Sequence, residues 1–245
     1  MKKLYDKDPV WFAVLWIVIY VLGFGNADNL SEAIGIPKLL TVLVGGILSL
    51  LLWNFFRNNN LKEAFGLCPV RGNSRDYLYY LPLIAISSVN FWNGLTLQAE
   101  FLTILLHILS MCCVAFLEEA IFRGLLFRGL CRQNITTAIW VSSLTFGVGH
   151  IVNLLMGEPV IPTLLQLVYA SAIGFCYTVL FHTGGSLIPC ILSHAFVNAT
   201  SIFGREGDIP LLILTTVIQT VLSLGYGFWL LRRGPRDLTR KENGL

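Results

Sequence analysis

The sequence predicts an all-α polytopic membrane protein, and three observations predict it. Apolar residues fill 55% of the 245 positions and charged residues only 13%, whereas a soluble domain of this length needs far more charge on its surface. The apolar residues gather in runs close to the roughly 20 residues that a helix needs to cross a bilayer. The basic residues between those runs favour alternate connections, as membrane topology requires.

The runs lie at 9–25, 39–56, 77–92, 101–127, 135–155, 162–181, 186–203 and 209–231, so about eight transmembrane helices are expected. The first follows Lys2, Lys3 and Lys7 and could pass for a signal peptide. It lacks a small-residue cleavage site, and Asp6 and Asp8 dilute its basic start, so it reads as an uncleaved span. With the N-terminus in the cytoplasm, Lys2, Lys3, Lys7, Arg57, Lys62, Arg71, Arg75, Arg128, Arg132, Arg232, Arg233, Arg236, Arg240 and Lys241 all fall on the cytoplasmic side. Only Lys38 and Arg205 fall outside, and Arg123 lies within a span. This bias places both termini in the cytoplasm. The same distribution accounts for the net charge of +3, which is no signal for nucleic acid.

Small residues mark close helix approaches: Gly147 and Gly149 in the fifth run, and Ala170, Ser171, Ala172 and Gly174 in the sixth. Cys68, Cys112, Cys113, Cys131, Cys176 and Cys190 form no CxxC and no zinc-ribbon spacing, and read as small buried hydrophobes. One transmembrane domain spanning 1–245 is expected, with no repeat and no long linker.

Within the fourth run, 101–117 carries no formal charge, and then Glu118, Glu119 and Arg123 follow. Ionised groups cost several kcal/mol each in hydrocarbon and are seldom placed there without a task. Glu119 and Arg123 stand four apart with the acid first, the favourable order for an ion pair on one helix face. Glu118 has Phe122 in the corresponding place and no partner on its own helix. Two adjacent carboxylates at low dielectric resist double ionisation, so Arg123 should hold Glu119 charged and leave Glu118 as a general base. A purely structural Glu–Arg clasp is the competing reading, and it leaves Glu118 surplus.

Two further polar groups enter the spans. His150 ends the fifth run, about 17 residues after the turn near Gln133, and Glu118 lies about 15 before it, so at about 1.5 Å per residue the two reach similar depth. His194 and Asn198 stand four apart in the seventh run and share a face. They either bond across helices or polarise a carbonyl and hold an oxyanion. His107 is expected to pack, and His182, Glu100 and Glu158 to be solvated. Asn153, one turn past His150, is a weak candidate to orient the imidazole.

Taken together, Glu118-Glu119-x-x-x-Arg123, Phe146-x-x-x-His150 and His194-x-x-x-Asn198 resemble, in order and spacing, the three signatures of the CPBP family. These are the CAAX-type prenyl endopeptidases and bacteriocin-processing enzymes, also called the ABI family. Phe122-Arg123-Gly124-Leu125-Leu126 agrees with the family pattern, as does Thr183-Gly184-Gly185-Ser186-Leu187-Ile188-Pro189. The resemblance covers about 101–203, the expected catalytic core. It implies a helical bundle around a polar intramembrane cavity. It also implies that Glu118 and His150 activate a water, His194 and Asn198 hold the oxyanion, and Glu119 and Arg123 support the site. Family members are often labelled metalloproteases, and Glu118, His150 and His194 would be the zinc set. With no HExxH present and Asn198 beside His194, a metal-free glutamate mechanism without cofactor is favoured over zinc.

The expectation is an intramembrane endopeptidase in a prokaryotic cell membrane. Its partners would be the lipid bilayer and a peptide or protein substrate, lipidated or not: a prenylated C-terminus, a leader, a signalling peptide or a bacteriocin. The rival class is a non-catalytic membrane scaffold or bacteriocin self-immunity protein acting by partner binding; it would have no need of Glu118. A transporter would be expected to show repeat-like halves or interrupted helices.

Overall fold

A short amphipathic turn opens the chain, α1 (Lys2–Lys7), and Asp8 breaks it to start α2 (Pro9–Ala33). The Asp8 carboxylate accepts from the Val10 and Trp11 amides, and Pro9 sits in the first turn, where a missing N–H costs nothing. The computed structural model describes residues 1–70, 78–205 and 207–233. Arg71, Arg75, Arg236, Arg240 and Lys241, and the Tyr77 start of the third apolar run, lie outside the described residues.

The remaining helices are α3 (Leu39–Asn58), α4 (Leu81–Ser87), α5 (Phe101–Glu118), α6 (Arg128–Cys131), α7 (Ile135–Gly149), α8 (Val152–Leu155), α9 (Val160–Gly184), α10 (Ile188–Thr200) and α11 (Ile209–Arg233). A π-helical stretch, Glu119–Phe127, joins α5 to α6 without a break, so that Phe101–Cys131 is one 31-residue rod. In a π-helix the hydrogen bonds reach one residue further than in an α-helix, and such segments gather at functional sites. A physical contributor is visible here: Ser142 Oγ on α7 donates to the Phe122 carbonyl at 2.8 Å, within the widened turn. Asn134 caps α7 by accepting from Thr137 N. Gly185 ends α9 at φ +73, the left-handed conformation that glycine takes without strain.

Six helices among the described residues are long and apolar enough to cross a membrane: α2, α3, the 31-residue rod, the α7–α8 segment Ile135–Leu155, α9 and α11. The other two apolar runs form shorter helices, Leu78–Ser87 and Ile188–Phe203. Both nonetheless run from one end of the bundle to the other. At the first end the Tyr79 hydroxyl meets that of Thr183, and Leu187 N donates to Gly66 O at 2.8 Å. At the opposite end Leu95 pairs with Gly204, and Thr96 N donates to Phe203 O at 2.8 Å. Each short pass finishes in a 3-10 turn, Val89–Phe91 or Ser201–Phe203, which rises more per residue than an α-helix. The all-α polytopic fold is as expected, with the third and seventh passes shorter than a full span.

The bundle has an exposed apolar surface and a partly polar interior. Trp11, Leu50, Ile84, Leu192 and Val221 face outward, each more than 60% exposed, whereas Glu119, Arg123, Ser110, Ser142 and Thr178 are fully buried. That is the pattern of a helix bundle solvated by lipid. Two apolar clusters flank the polar interior. One gathers α1, α2, α3 and the π-helical stretch around Phe12, Trp16, Phe55, Phe56 and Phe65. The other gathers α4, α9 and α11 around Phe175, Val179, Leu180 and Phe181. Between them, α4 and α10 are knitted by polar contacts: Ser87 Oγ to Ser193 Oγ at 2.7 Å, and Asn90 Nδ2 donating to Thr200 Oγ1 at 2.9 Å.

Two small-residue positions make the expected close approach. A Cβ on Gly147 would stand 1.9 Å from Ser171 Oγ, and one on Gly174 would stand 3.2 Å from Arg123 Nη2. Gly149 does not, since the space beside it is open. All six cysteines are free, but only Cys176 and Cys190 are buried; Cys112 faces outward on α5, where a thiol is apolar enough to meet lipid.

Candidate active site

The three motifs meet where the π-helical stretch, α7 and α10 come together. Glu119 and Arg123 are both fully buried, and Arg123 Nη1 donates to Glu119 Oε1 at 2.9 Å, the predicted i,i+4 pair. The guanidinium also lies 4.1 Å from the centroid of the Phe146 ring, a cation–π contact inside a site closed to water. Gly174 leaves the room for it. Phe146 is the hub of the cluster: its ring packs edge-on against Phe122, His150 and His194, with centroids 5.3, 5.3 and 5.8 Å away.

His194 bridges the two glutamates. Its Nδ1 lies 2.9 Å from Glu119 Oε1, and its Nε2 lies 3.4 Å from Glu118 Oε2. An ionised, arginine-bound carboxylate only accepts, so Nδ1 carries the proton of that bond. The sequence paired His194 with Asn198 through their shared helix face and did not show this bridge, because it joins the π-helical stretch to α10 across 75 residues.

Glu118 is buried, 9% exposed, and its partners lie on other helices. Tyr20 Oη of α2 donates to Glu118 Oε1 at 2.7 Å, a short bond of the charge-assisted kind. Sequence reasoning missed Tyr20. Its signal was the single hydroxyl in the apolar stretch 10–25, a polar tip that a span interior must satisfy.

Two grooves converge on Glu118. The first, about 830 Å³, runs between α2, α5 and α7 and is lined by Val21, Phe24, Val114, Leu144 and Val148 beside Tyr20 and Phe146. The second, about 750 Å³, runs among α9, α10 and α11 and is more amide-rich, with Asn90, Asn93, Gln166, Asn198 and Gln219 in its walls. Glu118 and His150 line both, and Asn198 lines the second, so the structure brings these three to one space. Such volumes are typical of ligand sites. His150 is half-buried at the end of α7, and its Nδ1 donates to the Phe146 carbonyl at 3.1 Å, which leaves Nε2 as the acceptor of the neutral ring.

The weaker candidates resolve individually. Asn153 donates to Gln166 Oε1 at 2.9 Å and does not orient His150. His107 does more than pack: its Nε2 donates to the Asn198 carbonyl at 3.0 Å and so ties α5 to α10. His182 is half-buried and edge-on to Phe127, at 6.2 Å between centroids, rather than solvated. Glu100 and Glu158 are exposed, Glu158 at the shared mouth of both grooves. Behind His194, Ser193 Oγ bonds both Tyr177 Oη and Ser87 Oγ at 2.7 Å, which ties α9, α10 and α4 together.

A zinc ion would need Glu118, His150 and His194 to converge. His194 Nδ1 faces Glu119 and its Nε2 stands 3.4 Å from Glu118 Oε2, and among the described residues no group of three His, Cys, Asp or Glu is found that could hold a metal ion.

Residues 100–200 match the family model described as Rce1-like, type II CAAX prenyl endopeptidase. The resemblance read from the three motifs is borne out over the segment that carries them. Neither the curated proteins nor the solved structures compared with the chain gave a match. The matched family is a protease family of the membrane, and the six long apolar helices agree with an integral membrane protein.

Proposed function

We propose that the chain is an intramembrane endopeptidase in which Glu118 activates a water against the scissile carbonyl of a peptide lying at the membrane. The observation that carries this reading is the charge arithmetic of the buried cluster. Arg123 and Glu119 balance each other. Glu118 and His194, 3.4 Å apart, are balanced when they share one proton, whichever of them holds it. A proton that can rest on either group without net charge in hydrocarbon is what hydrolysis requires.

The steps follow from that pair. Glu118 takes a proton from the water as the water oxygen bonds the carbonyl carbon, and the carbonyl oxygen becomes an oxyanion. The Asn198 amide, on the wall of the same space, is the donor for that oxygen. His150, with Nε2 as acceptor, orients the water from the α7 side. The proton is then delivered to the leaving amine as the C–N bond breaks, and Glu118 returns to its charged form. His194, held through Nδ1 by Glu119, presents Nε2 to the reacting carboxylate, so it relays the proton as well as supporting the oxyanion. The mechanism uses no metal. The substrates are leader, signalling or bacteriocin-type peptides, or lipidated C-termini, in a prokaryotic membrane.

The test is cleavage of a panel of leader and lipidated peptides by the purified protein, with and without a chelator. Glu118→Gln keeps the shape of the side chain and an acceptor for Tyr20, and is expected to lower kcat by about 10² to 10⁴, the usual contribution of a general base. Equal cleavage by the wild type and Glu118→Gln would sink the proposal; reversible loss with chelator would sink its metal-free form.

A further inference from the structure

We infer that Tyr20 is a positioning residue for Glu118, so that the site is completed by the first long helix, outside the segment 100–200 that matches the protease family. The inference rests on the proteolytic reading above and adds to it a residue that none of the three motifs contains.

The geometry is specific. Tyr20 is buried, 9% exposed, on an α2 stretch that is otherwise apolar, and its ring lies against Phe24 with centroids 4.8 Å apart. Among the described residues its hydroxyl makes one bond, the 2.7 Å contact to Glu118 Oε1, across 98 residues of sequence. A carboxylate on a flexible side chain has several rotamers, and the end that must meet the water has to be selected from them. Here the two oxygens are allotted: Oε1 to Tyr20, Oε2 toward His194 Nε2. With Oε1 held, Oε2 is the oxygen left to exchange protons with water and His194. The ring packing fixes the hydroxyl in turn, since a tyrosine side chain has only two rotatable bonds before the ring. Tyr20 lines the first groove beside Glu118 and acts through that carboxylate rather than on the substrate.

The experiment compares steady-state cleavage by the wild type, Tyr20→Phe, Glu118→Gln and the double variant, with Leu22→Ala, an outward-facing α2 change, as a control. Tyr20→Phe keeps the ring and removes only the hydroxyl. It is expected to lower kcat on the order of 10- to 100-fold, the range expected of a misplaced reacting group. KM should stay within about twofold and the thermal midpoint near that of wild type, because the ring packing is kept. In the Glu118→Gln background the same change should cost no further activity, the non-additivity expected of residues acting as one unit. A structural role would instead lower the thermal midpoint and leave kcat per folded molecule unchanged. Three results would overturn the inference: an unchanged kcat in Tyr20→Phe with an active wild type, a raised KM at constant kcat, or a loss equal in both backgrounds. A wild type that cleaves nothing removes the proteolytic reading, and this role with it.

Discussion

At the scale of single residues, the two adjacent glutamates perform different tasks because their neighbours differ. Glu119 is enclosed by Arg123 and His194 and is fully buried. Glu118 reaches the grooves, accepts from the Tyr20 hydroxyl and faces His194 Nε2 at 3.4 Å. Removing one member of a buried ion pair leaves the other charge uncompensated, at a cost of about 3–5 kcal/mol. Arg123→Ala is therefore expected to destabilise the fold by that order, read as a lower thermal midpoint or loss of folded protein in detergent. Glu118→Gln should melt close to wild type. The reverse ordering would mean that the cluster is a structural clasp centred on Glu118. His194 and Asn198 also divide at this scale. They share a helix face in sequence, yet one lies between carboxylates and the other on a groove wall, with its own carbonyl taken by His107 and Ser201.

At the scale of elements, the site depends on how closely α7 and α9 approach. The absent side chain at Gly147 brings the backbone of Ser171 within 2.7 Å of where a Cβ would stand. Gly147→Ala must push the helices apart and should cost about 1–3 kcal/mol by overpacking. It should also lower activity, since Phe146 and His150 ride on the same helix. Gly149→Ala meets open space and should leave both stability and activity unchanged. Thermal unfolding and cleavage rates on the two variants check the contrast; equal effects would refute the packing argument. The short α4 and α10 passes illustrate the same logic. They bury Leu83, Ile86 and Cys190 in the apolar cluster and add polar contacts, to each other through Ser87, Ser193 and Asn90 and to α11 through Gln219. That suits helices below the length of a full span, and it holds His194 at the right depth.

At the scale of the whole molecule, Lys7 and Arg128 among the described basic residues lie toward one end. Arg128 lies over the Phe181 ring at 4.6 Å, near the Leu187–Gly66 link, and Gly129 packs on Pro9 and Val10 beside Lys7. Lys38, ion-paired with Asp28, and Arg205 mark the opposite end, where both grooves reach Asp28 and Glu158. We expect the Arg128 end to face the cytoplasm. In a background without native cysteines, Arg132→Cys should react with a membrane-impermeant maleimide from the cytoplasmic side alone, and Lys38→Cys from the other; labelling of both from one side would refute this topology.

The amino-acid sequence by itself determined the class of fold and the charged groups Glu118, Glu119 and Arg123 of the interior. Composition and hydropathy are summed along the chain, and a charge in hydrocarbon stands out wherever it lies. It also determined the Glu119–Arg123 pair, because i,i+4 neighbours on a helix are local. Only the tertiary structure decided which groups face one another. Tyr20 reaches Glu118, His194 bridges both glutamates and Asn153 turns to Gln166 through contacts between helices distant in sequence, set by where small residues let backbones close up. No periodicity along one helix encodes the side chain that a second helix presents to it. The reactive geometry around Glu118 therefore belongs to the packing of α2, α5, α7 and α10 rather than to any one of the three motifs.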